Sequence, residues 1–170
     1  TDPKKNTPRV LKAYSDYLKQ STQKLPLLIA DLKGDVIDQI LEEENIREIK
    51  SYIHAPGYIA NTDLAALYCG AFAFLYPSLR ESFGIPMLEA MACGTPIIAG
   101  NTSAMPEIAG EGALLADPFN SNDITEKILQ LENDQTLYQQ QVEYGIQRSQ
   151  LFSWRNTAES LLKIYKEFAK

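Results

Sequence analysis

The sequence predicts an α/β fold, a doubly wound parallel sheet with a helical C-terminal segment. Three observations carry that expectation. Short apolar runs of strand length, such as "PLLIA", "AFAFLYP" and "TPIIAG", alternate with segments whose apolar residues recur at helical spacing. After "DPFNSND" only the helical spacing remains. With 170 residues, of which 45% are hydrophobic and 22% charged, the chain has the size and composition of one domain, residues 1–170, with its own core.

Each element has a local reason. Thr7 is placed to cap a helix with Pro8 in its first turn, and Val10, Leu11, Tyr14, Tyr17 and Leu18 then share one face. "PLLIA" follows as a short buried strand, and Val36, Ile37, Ile40 and Leu41 recur at helical spacing after Gly34. "IKSYIHAPGYI" reads as a strand ending in a Pro-Gly turn. Asn61 is placed to cap "TDLAALYCG", whose Leu64, Leu67 and Tyr68 form a stripe. "AFAFLYP" is the next strand, "IPMLEAMAC" a helix stopped by Gly94, and "TPIIAG" and "GALLAD" two further strands. Three helices close the chain: one marked by Ile124, Ile128 and Leu131, one over 137–150, and a last one with Leu161, Leu162, Tyr165 and Phe168 on one side. Trp154 is expected to anchor that last helix.

Composition excludes several classes. A formal net charge of −6 argues against a nucleic-acid binder, which needs a basic surface to neutralise phosphates. The apolar runs are far too short to span a bilayer, and no signal peptide is visible at Thr1. Cys69 and Cys93 lie in apolar stretches without metal-ligand spacing, so both are expected to be small buried thiols of a reducing compartment, with a disulfide or ligand role as the lesser alternative. The same is true of the whole chain: no His, Cys and Asp residues cluster at metal spacing, so no metal site is expected. His54, the single histidine, precedes the Pro-Gly turn and reads as structural, while Met87 and Met91 fit the core face of their helix.

The chemistry concentrates in "ESFGIPMLEAMACGTP", Glu81 to Pro96. In doubly wound sheets ligands bind beyond the carboxyl ends of the strands, and Glu81 lies in the turn that follows a strand. Gly84 permits close backbone approach, and Pro86 fits a helix's first turn because its missing N–H had no partner there anyway. The amides of Phe83, Gly84 and Ile85 then form the positive end of a helix, a seat for phosphate oxygens. Glu89, one turn on, suits ribose hydroxyls better than phosphate, and Glu81 would face whatever lies beyond the phosphates. Ribose, diphosphate and polyol in that order make a nucleotide sugar. The spacing alone favours a plainer reading, one solvated Glu and one paired within the helix.

The wording around the acids is more specific. "YPSLRESFGIPMLEAMACGTPIIAGNTSAMPEIAGEGALLADP" resembles the C-terminal domain of family 4 glycosyltransferases (glycosyl transferases group 1), retaining enzymes of the two-domain GT-B fold whose halves are Rossmann-like. The E-x7-E element, F-G-I-P, E-A-M-A-C-G-T-P and P-E-I-A-G stand in family order, and the likeness extends from "DPKKNTPRVLKAYS" to "FSWRNTAESLLKIY". The resemblance implies that Glu81 contacts the donor sugar and supports charge at its anomeric carbon. It implies that Glu89 holds the ribose, and that the amides at Phe83, Gly84 and Ile85 meet the diphosphate. Lys5, in the basic loop, would neutralise the leaving phosphate; a solvated terminus is its other reading. Tyr58 and Ile59 would line the base pocket, with ordinary loop packing equally open.

Further expectations follow from the resemblance. The donor is a UDP-sugar or GDP-mannose, with no metal or other cofactor. The acceptor is a growing polysaccharide or lipid-linked glycan, bound by an N-terminal domain that would precede Thr1, as would the family's first C-terminal strand and an Arg ahead of the basic loop. The enzyme would be cytoplasmic, with the full-length protein able to associate peripherally with the inner face of the membrane, and nucleic acid would not be a partner. The fragment alone would be inactive. The alternatives are a nucleotide-sugar-binding regulatory module and another GT-B enzyme such as an epimerase or phosphorylase.

Overall fold

Every residue of the strand Ile97–Gly100 is buried, because this strand has a neighbour on each side and helices on both faces. The computed structural model describes residues 2–169. Its strands are β1 (Leu27–Ala30), β2 (Ile53–Gly57), β3 (Phe74–Tyr76), β4 (Ile97–Gly100) and β5 (Leu114–Ala116). Its helices are α1 (Thr7–Gln20), α2 (Gly34–Glu43), α3 (Asn61–Gly70), α4 (Ile85–Ala92), α5 (Met105–Ala109), α6 (Ser121–Asn133), α7 (Gln135–Ser149) and α8 (Trp154–Phe168). Two 3-10 turns, Pro3–Lys5 and Arg47–Tyr52, complete the elements. All strand pairings are parallel, as α/β alternation requires.

The strands fall into two sheets rather than one. β1 pairs with β2, and β3-β4-β5 form a separate sheet. Among the described residues no strand bonds both β1 and β3, so each keeps one free edge. Side chains nevertheless join the two sheets, since Leu27, Ile29 and Ile53 of the first and Leu75, Ile98 and Leu114 of the second pack into one core with α1, α2 and α6. A second core lies on the other side of β4, where Ile97 and Ala99 meet Met87, Met91, Met105 and Ile108 of α4 and α5. Alternation along β4 thus feeds two opposite cores, which is what double winding means at the level of residues. α1 packs on α6, and α4 on α7.

Several local expectations shift. Thr7 and Asn61 are the first residues of their helices, with Asn6 and Ala60 in the cap positions and no side-chain cap bond at either. The stretch before the Pro-Gly turn is a 3-10 turn first and a strand only from Ile53. Cys69 is exposed and Cys93 half-buried, so the thiols are not the buried pair that their apolar neighbours suggested. The reason is that α3 buries no residue fully: it lies on the rim, with Leu64, Leu67 and Tyr68 only partly covered. Trp154 does not anchor α8; it is 84% exposed. α8 buries none of its residues, and its stripe of Leu161, Leu162, Tyr165 and Phe168 faces outward. Lys170, the end of that expected helix, lies outside the described residues. Among the described residues no helix is long and apolar enough to cross a membrane.

Candidate functional site

The site is assembled where β3 ends. Tyr76 closes the strand, and the chain turns through Pro77 and Ser78 towards Glu81. The first residues of the chain are brought to the same place by Asn6. Its backbone is left-handed, with φ 62°, a conformation that Asn tolerates better than most residues. Its buried side-chain amide donates to Pro77 O at 2.9 Å and to Pro118 O at 2.7 Å, tying the basic loop to the exits of β3 and β5. The Leu79 amide also donates to Lys4 O at 2.8 Å.

So held, Lys5 Nζ donates to Glu81 Oε1 at 2.7 Å. The same ammonium lies 5.4 Å from the centre of the Tyr76 ring. The side chains are 50% and 17% exposed, so the pair sits at a cleft mouth, with the carboxylate on the inner side. The Glu81 backbone is clasped from the loop after β4: Ser103 Oγ donates to Glu81 O at 2.6 Å, and the Glu81 amide donates back to that oxygen at 3.3 Å. Ser103 too is left-handed, with φ 60°. The two loops can meet because Gly100 ends β4 without a side chain; a Cβ there would lie 2.8 Å from Ser78 O.

Burial alone would raise the Glu81 carboxyl pKa, but hydrogen bonds from Lys5, Tyr76 and Ser78 outweigh it and hold the group below the usual carboxylate value. Burial and the Glu81 carboxylate push the Tyr76 hydroxyl upward, so it remains a donor. Glu81 is therefore an ionised carboxylate, fixed from several sides, beside a cation that can also reach solvent. Lys4, Arg80, Ser82 and Asp2 join Lys5 and Glu81 around an open cleft of about 360 Å³.

The other predicted residues lie beside this cleft rather than in its walls. Gly84 caps α4 in the left-handed region, φ 99°, which explains why glycine stands there. Phe83 and Ile85 on either side are exposed, and the Phe83 ring meets Phe152 edge to face at 5.8 Å between centroids. The Ile85 amide at the start of α4 has no partner within the helix by geometry, Pro86 carries no N–H, and the Met87 amide donates to Gly84 O at 3.0 Å. Glu89 is exposed on the face of α4 opposite Met87, Ala90 and Met91. It lies beside the Tyr68 hydroxyl of α3, which burial and the Glu89 carboxylate push up to about 12. The two acids thus flank the start of α4, one towards the N-terminal loop and one towards α3. Tyr58 is 79% exposed after the Gly57 turn, and Ile59 is half-buried.

Sequence reasoning missed Asn6, Tyr76, Ser78, Arg80 and Ser103. Arg80 could have been noticed as a cation next to Glu81. Asn6 holds the site through contacts across 71 and 112 residues and Ser103 across 22, and no local pattern marks those. Tyr76 and Ser78 stand close to Glu81 in sequence, but nothing in the strand and turn wording marks their hydroxyls as its donors.

Parallel strands wound by helices, with a cleft at the strand exits, define a Rossmann-like α/β domain of the kind found in the C-terminal half of GT-B proteins. The family model for glycosyl transferases group 1 matches residues 1–148, and the chain belongs to that family. It is 34% identical over 168 residues to O-antigen chain mannosyltransferase B of Escherichia coli, covering 97% of this chain and 43% of that protein. It is 31% identical over 159 residues to the serotype-specific mannosyltransferase WbdA of E. coli, covering 92% of this chain and 20% of that one. Among solved structures, the C-terminal domain of a group 1 glycosyltransferase from Francisella tularensis superposes with a TM-score of 0.76 at 24% identity, over 89% of this chain and 80% of that one, a likeness of fold. The chain spans less than half the length of the curated relatives it matches.

Proposed function

We propose that residues 1–170 are the donor-binding domain of a retaining glycosyltransferase that moves a sugar, with mannose the first choice, from a nucleotide donor to a growing glycan. The observation that carries this reading is the Lys5–Glu81 pair, 2.7 Å apart across 76 residues at the strand exits. A glycosyl transfer with retention needs an anionic group near the anomeric carbon and positive charge where the diphosphate leaves, and the pair supplies one of each. The mannosyltransferase names of the relatives support the sugar.

In this reading the donor lies across the start of α4. Its ribose hydroxyls donate to Glu89, and its base rests against Tyr58 and Ile59. The diphosphate takes the amides of Phe83, Gly84 and Ile85, and Lys5 swings from Glu81 onto the leaving phosphate. Glu81, released from Lys5 but still held by Tyr76 and Ser78, supports positive charge building on the sugar ring. Lys5 and the amides carry the diphosphate, with no metal or other cofactor. The acceptor would be bound by a further domain of the longer protein. The cytoplasm, with the membrane's inner face as a docking surface for the whole enzyme, is the compartment in which such donors are available.

The test is ligand-observed NMR and calorimetry with UDP and GDP, in EDTA. One nucleoside diphosphate should bind with a dissociation constant on the order of 1 mM, and the preferred base identifies the donor class. If neither binds at millimolar concentration, or binding needs a divalent ion, the donor-site reading is wrong.

A further inference from the structure

The two cysteines are absorbed by no step of the proposed transfer, and their surroundings give them a chemistry of their own. Cys93, the residue that ends α4, places its Sγ 3.8 Å from the carbonyl oxygen of Ala65 in α3. In an α-helix that carbonyl accepts the amide of the residue four positions on, which is Cys69. Side chains on a helix lean towards its N-terminus, so the Cys69 thiol leans back over the turn that carries Ala65, towards Cys93. α3 and α4 pack against each other along this line. Consistent with the approach, burial and the neighbouring Cys69 thiol both push the Cys93 thiol upward. Cys69 is exposed and Cys93 half-buried.

We propose that Cys69 and Cys93 form a reversible intramolecular disulfide under hydroperoxide, with Cys69 as the thiol oxidised first and Cys93 as the resolving thiol. The exposed Cys69 thiolate attacks the peroxide O–O bond, becoming a sulfenic acid as hydroxide departs and takes up a proton to form water. Cys93 sulfur then attacks the Cys69 sulfur; the S–S bond forms, the S–O bond breaks, and a second water leaves with the Cys93 proton. Two electrons pass from the two thiols to the peroxide, and a dithiol reverses the reaction by exchange. The bond would tie α3, which follows β2, to α4, which follows β3. It is therefore a covalent link between elements of two sheets that share no hydrogen bond. The closed loop contains both Glu81 and Glu89.

The experiment is a peptide map of the folded protein after hydrogen peroxide, without reduction. Trypsin cuts after Arg80 and separates the two cysteines, so a Cys69–Cys93 bond appears as two peptides joined. The intact mass should fall by about 2 Da, the two hydrogens lost, and return with dithiothreitol. Cys93→Ser should instead accumulate Cys69 sulfenic acid, trapped by dimedone, at several times the wild-type yield. The proposal is overturned if wild-type Cys69 proceeds to sulfinic acid while Cys93 stays open to alkylation. It is also overturned if disulfides form only between chains, or if dimedone capture is the same in both proteins. The wild-type map decides the matter should Cys93→Ser fail to fold.

Discussion

Glu81 and Glu89 are both glutamates on the rim of one helix start, yet their neighbours give them different work. Glu81 is fixed by Lys5, Tyr76 and Ser78, whereas Glu89 is exposed and faces α3. Glu89→Ala should weaken nucleoside diphosphate binding by about 1–3 kcal/mol through lost ribose hydrogen bonds. Glu81→Ala should leave that binding nearly unchanged while abolishing transfer by the full-length enzyme. Calorimetry on the two variants checks the assignment, and equal losses would refute it. Acid gives an independent reading of Glu81. Its pKa is lowered on folding, so its stabilisation is present above the ordinary value of about 4.3 and is lost as pH falls through the lowered one. Because Lys5 is half exposed, Glu81→Gln should cost only about 0.5–1 kcal/mol near pH 6. The gap between the two urea midpoints should begin to narrow as pH falls below the ordinary carboxylate value and close once it has passed the lowered one. At this scale the sequence showed which residue types matter but not their partners. Lys5 and Glu81 were both named through the resemblance; that they bond each other without ligand is a product of Asn6 and Ser103, distant residues whose own roles leave no local trace.

Among the elements, β4 and α4 carry the site because of what two glycines omit. Gly84 takes a left-handed turn into α4, and the F-G-I-P wording made that position readable in advance. Gly100 is different: its constraint is the Ser78 carbonyl approaching from another loop, which nothing in "PIIAG" announces. Gly100→Ala forces that backbone or Met105 to move, and should destabilise the domain by about 1–3 kcal/mol in chemical denaturation. Gly34→Ala, where a Cβ meets nothing within 4 Å, is the control and should be close to neutral or stabilising. Helix and strand identities were legible because the apolar periods are clear; helix starts were less so. At α1 the left-handed Asn6 holds two distant carbonyls, so a tertiary demand occupies the position before Thr7. At α3 the rim location removes the burial that a capped, amphipathic helix would exploit.

For the whole molecule, α8 is the outlier. Its Trp154, Leu161, Leu162, Tyr165 and Phe168 face outward, in a chain under half the length of its curated relatives. Such a stripe fits a surface supplied by the rest of a longer protein. Residues 1–170 alone should bind nucleotide yet fail to transfer sugar, because positioning an acceptor against the donor can supply about 7–11 kcal/mol of the barrier and no acceptor wall is proposed within this domain. A radiolabelled-donor assay, with and without the upstream half added in trans, checks this. Robust transfer by the domain alone, lost in Glu81→Ala, would overturn the half-enzyme reading. The α/β alternation was legible in the sequence as far as "GALLAD", and so was the all-helical remainder. The division into two sheets was not, since strand patterns report burial and not which edges bond.

The Asn6 side chain also sets a timetable. It joins Pro77 and Pro118, 71 and 112 residues further along the chain. Protein emerges from the ribosome in order, at roughly 5–20 residues per second. The basic loop is made before either proline, but its clamp is complete only once Pro118 is outside the exit tunnel. For several seconds the growing chain therefore carries Lys4 and Lys5 on a segment whose second anchor is still missing, with Glu81 already synthesised. A nascent chain arrested short of Pro118 should lack the ordered cleft between Lys5 and Glu81, and one released a helix later should have it whole.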